Sequence, residues 1–270
     1  MATQSSIPAD AGNPGHTGMV SMKSLQGQRA IVTGGSRGLG RGIVEALVAE
    51  KVHVVAMARD AAHLESVRKE LGAEIVSGDV ADDAVAGRLL REIQPDLVVL
   101  CAGASPPSGS LHEQTWESFS HNWEVDAKST FFWLRHALLL PMKTGSHVIV
   151  VSSGAAVRGS PVSGGYASAK RAQWFMADYA ATEAARMNLD LRVHCILPNL
   201  NASTALGRAG IAAYAQRAGV SEEEFVKRFG PPLTPAIVGK AIVALATDAK
   251  PEKWDKLAYR VTGMGLAPVD

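Results

Sequence analysis

Tyr166 and Lys170, in the run YASAK, are the residues of this 270-residue chain whose types and spacing point most directly to proton chemistry. A phenol ionises at about pH 10, and a neighbouring ammonium stabilises the phenolate and draws that value down toward the working range. On a helix, a spacing of four puts both side chains on one face, about one turn apart. The same spacing also arises on ordinary solvated helices. A second set of residues suits phosphate: AIVT, from Ala30, runs into GGSRGLG and then into an apolar helical stretch. Glycines there allow a tight turn, and the N–H groups at the positive end of the following helix face an anion. The spacing of Gly34, Gly38 and Gly40 departs from G-x-G-x-x-G, and a plain flexible turn is the alternative.

The elements that must position these residues are legible as an alternation. Short apolar, β-branched runs begin at Ala30, Val52, Ala73, Asp96, Ser146, Leu191 and Tyr259, with segments of helical period between them. Strands apolar throughout and separated by helices imply a parallel sheet covered on both faces. The expectation is therefore an α/β fold: a single, doubly wound, mostly parallel seven-stranded sheet with helices on both faces. Ligands of such sheets bind outside the carboxyl ends of the strands. The residues there are Gly34 to Gly40, Ala58-Arg59, Asp79-Val80, Ala102-Gly103, Ser152-Ser153 and Pro198-Asn199.

The end of the second run bears on which dinucleotide is bound. A carboxylate there would bind the ribose diol of NAD, but the chain has Ala58 and then Arg59. Arg37 in the glycine loop adds a second cation, and a guanidinium fork suits a 2′-phosphate. NADP(H) is thus expected over NAD(H), which stays possible, with both arginines as ordinary surface charges the alternative. Asp79 is placed to accept from the adenine amino group, or to cap a helix.

TGGSRGLG, CAG, VSS and YASAK in this order resemble the classical short-chain dehydrogenase/reductase family, from Leu25 onward. The resemblance implies a Rossmann-type domain and an oxidoreductase that moves a hydride between nicotinamide and a carbonyl or alcohol, most naturally in ketone or beta-ketoacyl reduction. Tyr166 would exchange the proton, Ser153 rather than Ser152 would hold the substrate oxygen, and Lys170 would tune Tyr166 and hold the nicotinamide ribose. Cofactor contacts would come from Gly34, Ser36, Arg37, Gly38, Leu39, Gly40, Ala58, Arg59, Asp79 and Val80. Cys101, Ala102, Gly103, Tyr166, Lys170, Pro198 and Asn199 complete that set.

Three positions depart from the family pattern. Its NNAG reads Leu100-Cys101-Ala102-Gly103 here. Its fourth catalytic residue, an asparagine at a helix kink whose main-chain carbonyl binds a water that contacts the lysine, is Asp126. An ionised Asp126 near Lys170 would raise the pKa of Tyr166; pointing away, it would brace a helix. The Pro-Gly that follows the sixth strand is Pro198-Asn199, where Asn tolerates a left-handed backbone. Asp126 and the altered NNAG also motivate a different reading, a nucleotide-sensing or regulatory protein that has lost turnover.

Composition narrows the partners. With 47% hydrophobic residues and a net charge of +1, nothing marks the chain as disordered or as an electrostatic binder of nucleic acid. No apolar window reaches membrane-spanning length, and Cys101 and Cys195 read as core residues of a reducing, cytoplasmic compartment with no metal site. Residues 1–24, rich in Gly, Pro, Ser and Ala, read as a mobile extension, and 25–270 as one domain. The connection over 200–232, with Tyr214, Phe225 and Phe229, reads as a substrate lid, although an amphipathic helix would give the same pattern. Arg158 would meet a substrate carboxylate or phosphate, or be a solvated charge. The helices from Thr115 to Leu140 and from Tyr166 to Met187 are expected, from the resemblance, to pair subunits in a homodimer or homotetramer.

Overall fold

The computed structural model describes residues 24–140, 142–247 and 257–269. All but the last residue of the expected N-terminal extension lies outside them. Strands β1 (Arg29–Thr33), β2 (His53–Ala58), β3 (Glu74–Ser77), β4 (Leu97–Leu100), β5 (Ser146–Val151), β6 (Leu191–Pro198), β7 (Ala258–Thr262) and β8 (Gly265–Pro268) form one sheet. The order is β3-β2-β1-β4-β5-β6-β7-β8, parallel except for β8, which runs antiparallel to β7. The described sheet has eight strands, not the seven expected. The chain reverses through Gly263 and Met264, and the residues that follow pair with β7.

Side chains alternate across each strand, so uniformly apolar strands serve two cores. Val32, Val54, Val99 and Ile149 pack with Ile43 and Leu47 of α1 (Gly38–Ala49) and with Val238, Ile242 and Leu245 of α10 (Pro235–Ala246). Ile31, Val55, Val98 and Val150 pack on the other side with Leu89 and Leu90 of α3 (Asp83–Ile93), Trp133 and Leu134 of α5 (Lys128–Leu139), and Ala177 of α7 (Gly164–Arg186). A sheet clamped in this way holds its strand ends still, and the site needs that rigidity.

The remaining helices are α2 (Ala61–Leu71), α4 (Trp116–Asn122), α6 (Ala155–Arg158), α8 (Ala205–Ala218) and α9 (Glu222–Lys227). The stretch expected as one helix from Thr115 to Leu140 is interrupted: between α4 and α5, residues Trp123–Ala127 form a π-helical turn. Such wide turns recur at functional sites because they re-aim a side chain. Among the described residues, no helix is long and apolar enough to cross a membrane.

Candidate active site

Beta-strand order reverses at β1, which lies between β2 and β4. The crevice beyond their carboxyl ends is walled by the glycine loop. Gly34 and Gly38 hold φ of 70° and 57°, a left-handed backbone that suits glycine. A Cβ on Gly40 would stand 2.0 Å from the Gly34 carbonyl oxygen, so loop and helix touch backbone to backbone. Asp60 caps α2 and Asp82 caps α3, whereas α1 has no side-chain cap and no acid in its first turn. Its leading N–H groups face the crevice unclaimed by side chains, the arrangement a pyrophosphate requires. The residues present therefore fit a dinucleotide.

Around this loop the sequence-predicted residues take distinct positions. Ser36 is buried, Leu39 packs against the core, and Arg37 is exposed. Ala58 ends β2 and is followed by the exposed Arg59. Neither the Arg37 nor the Arg59 guanidinium has a hydrogen-bond or ion-pair partner among the described residues. Asp79 Oδ1 accepts from the Ala81 N–H at 2.9 Å and caps no helix, that task falling to Asp82. Val80 is buried, and its carbonyl accepts from Trp133 Nε1. Thr33 Oγ1 accepts from the N–H groups of both Cys101 and Ala102, pinning β4's exit to the end of β1 without either family asparagine. Cys101, one position past its strand, is partly buried and packs against the core, and burial of its sulfur pushes the thiol up to about 11 against the pull of Lys170. Cys195 is fully buried in β6.

Ser153, Tyr166, Lys170 and Asp126 come together beyond β4 and β5. Ser152 turns inward, its hydroxyl donating to the Lys170 carbonyl at 2.7 Å, while Ser153 lines a cleft with Tyr166. Ser153 Oγ accepts from the Ala155 N–H. Lys170 lies behind the tyrosine, its Nζ 5.6 Å from the ring centroid and 3.4 Å from the Val151 carbonyl it donates to. Asp126 does not point away: Oδ2 lies 3.3 Å from Lys170 Nζ, and Oδ1 accepts from the Ala104 N–H at 2.8 Å. The Lys170 contact is an ion pair without the alignment of a hydrogen bond.

The carbonyl of Asp126 corrects an expectation. Thr130 Oγ1 at 2.9 Å, Gln173 Nε2 at 3.0 Å and Ser129 Oγ at 3.1 Å all donate to it, so the oxygen expected to hold a water is taken up by protein donors. Asn199 corrects another, since it is not in the left-handed region. It continues the exit of β6 in ordinary geometry, its N–H donating to the Val261 carbonyl, while the Pro198 carbonyl accepts from the Gly154 N–H.

Sequence reasoning missed Asn122 and Gln173. Asn122 Nδ2 donates to the Ala104 carbonyl, so Asn122 and Asp126 between them satisfy both backbone groups of Ala104. Helical spacing carried the signal: Asn122 lies four residues before Asp126, and Gln173 three after Lys170.

Burial raises the Tyr166 pKa above its ordinary value; Lys170 and the Ser153 hydroxyl lower it, and Asp126 and Tyr214 raise it, for a net upward shift. The lowering expected from Lys170 is present but outweighed. Burial lowers the Lys170 pKa, while Asp126 and then Tyr166 raise it, leaving the ammonium firmly charged.

The cleft has a volume of about 530 Å³. Its far wall is α8 and α9, in the connection over 200–232, where Tyr214 stacks on Phe225 and Phe229 meets Phe225 edge-on. The Tyr214 hydroxyl donates to Ser160 Oγ, tying α8 to the loop before α7.

A family profile described as Enoyl-(Acyl carrier protein) reductase matches residues 34–252. The chain is 31% identical over 238 residues to L-fucose dehydrogenase of Rattus norvegicus, covering 86% of this chain and 87% of that protein. It is 38% identical over 107 residues to L-xylulose reductase of Homo sapiens, 39% of this chain and 43% of that protein. To the NADP-dependent (R)-specific alcohol dehydrogenase of Lentilactobacillus kefiri it is 29% identical over 184 residues, 64% of this chain and 73% of that protein.

Proposed function

The chain belongs to the short-chain dehydrogenase/reductase family of oxidoreductases, and from that premise we propose that it is an NADP(H)-preferring enzyme that reduces a small-molecule carbonyl. The observation that carries this reading is the cleft in which Ser153 and Tyr166 share a wall with Lys170 buried behind them. NADPH, when bound, supplies the hydride. Ser153 donates a hydrogen bond to the substrate oxygen and fixes its position. Tyr166 gives that oxygen its proton, and Lys170 holds the charge on the tyrosine as the proton leaves. The glycine loop and α1 would take the pyrophosphate, Asp79 would accept from the adenine amino group, and Arg37 and Arg59 would take a 2′-phosphate.

A raised Tyr166 pKa supports reduction, because a phenol protonated at neutral pH is a ready donor while alcohol oxidation needs the phenolate. The segment over 200–232 acts as the substrate lid. The exposed Phe131 of α5 and Phe175 and Tyr179 of α7 support pairing of these helices between copies of the chain. Consumption of NADPH and NADH with a panel of ketones, 2-oxo acids, beta-keto esters, L-xylulose and L-fucose tests the reading. Turnover favouring NADPH is expected; cofactor binding with no turnover of any member would mark a nucleotide sensor instead.

A further inference from the structure

Charge around the substrate cleft is one-sided. Arg158, Arg228 and Arg260 line it, and no Asp or Glu among the described residues does. Arg228 has a partner in Glu224, 3.5 Å away on the solvent side of α9. Arg158, at the end of α6, and Arg260, in the middle of β7, have neither an ion pair nor a side-chain hydrogen bond among the described residues. Arg260 is also half-buried, between Leu197 and Ala267 on the neighbouring strands.

The guanidinium of Arg260 is partly withdrawn from water with no counter-charge among the described residues, which is costly, and Arg158, exposed, lines the same cleft, so the two together suit an anion. The remaining polar groups around it include hydroxyls of Ser153, Ser163 and Tyr214, of which the last two are bonded to Ser160. Tyr166 and Ser153 define where the reacting carbonyl sits, so a charge met by Arg158 and Arg260 belongs to another part of the same molecule.

Resting on the reading of this cleft as the substrate site, we propose that the substrate carries an oxyanion, a carboxylate or a phosphate, held by Arg158 and Arg260 while its carbonyl or hemiacetal faces Tyr166. The planar fork of each guanidinium suits either group, and no acid among the described residues of the cleft is there to repel it. A neutral sugar or ketone lacks the group these arginines address.

Calorimetric titration of the NADP⁺-loaded protein tests this without requiring turnover. The ligands are D-galacturonate, its methyl ester and D-galactose 6-phosphate, with acetoacetate and methyl acetoacetate as a second pair. In at least one pair the anion is expected to bind about tenfold or more tighter than its neutral counterpart, as charge-assisted hydrogen bonds warrant. That preference should shrink as sodium chloride is added. Arg158→Gln and Arg260→Gln should each reduce it and together abolish it, while Arg91→Gln on the distant α3 should leave it intact. The 6-phosphate arm separates a phosphate site from a carboxylate site. Anions that bind no tighter than their neutral partners, or a preference that survives the double substitution, would overturn the proposal. Selective anion binding without any hydride transfer would leave it standing and sink the oxidoreductase reading alone.

Discussion

The carboxylate of Asp126 lies 3.3 Å from the ammonium of Lys170, and both side chains are shut away from solvent. A buried pair of this kind holds because each charge answers the other; removing one partner leaves the other uncompensated. The consequence reaches Tyr166, since part of the positive field that would stabilise its phenolate is cancelled by Asp126. The pair thus biases the site toward a protonated phenol.

Asp126→Asn removes that cancellation while keeping the shape of the side chain. The Tyr166 pKa, raised by Asp126, should fall in the variant, so the alkaline rise in alcohol oxidation should begin at lower pH. The pH profile of oxidation in wild type and variant checks this, and an unmoved or higher apparent pKa counts against it.

Cofactor choice is expected to rest on Arg37 and Arg59. Loss of one charge-assisted contact corresponds to about 1.5–3 kcal/mol, so Arg59→Ala should weaken NADP⁺ binding roughly tenfold to a hundredfold and leave NAD⁺ binding nearly unchanged. Fluorescence titration of both cofactors reads the ratio; equal wild-type affinities would remove the assignment.

Gly40→Ala forces a Cβ against the Gly34 carbonyl, where 2.0 Å is available. Overpacking of this kind costs about 1–3 kcal/mol. The variant should melt lower and bind either dinucleotide more weakly, because the loop that moves is the one that takes the pyrophosphate. A wild-type melting curve together with unchanged affinity would show that the loop is not held as described.

Much of the fold was legible because the parallel strands are apolar on both faces, so each stood out as a short run between helical segments. β8 was not. Its pairing depends on Gly263 and Met264 turning the chain back, and a four-residue strand with half its length exposed carries little hydrophobic signal. The Tyr166–Lys170 spacing was readable because one helical turn relates the two residues. Asp126 could be placed only by resemblance, and its true surroundings come from a π-helical turn that no periodicity announces. The bonds from Ser129 and Thr130 to its carbonyl are local, three and four residues along the same helical stretch, while that from Gln173 is a tertiary consequence of packing α5 against α7. The pattern of Tyr214, Phe225 and Phe229 fits either a lid or an amphipathic face; in the structure the three rings pack together along the cleft.

The central claim is that Tyr166 delivers the proton to the substrate oxygen, and Tyr166→Phe tests it most directly, because the ring stays in place and only the hydroxyl is lost. With the best substrate from the carbonyl panel, kcat for NADPH oxidation should fall by about 10²–10⁴-fold, the usual contribution of a positioned general acid, while NADPH affinity stays within about twofold of wild type. A kcat near that of the wild type, with cofactor binding intact, would contradict the account.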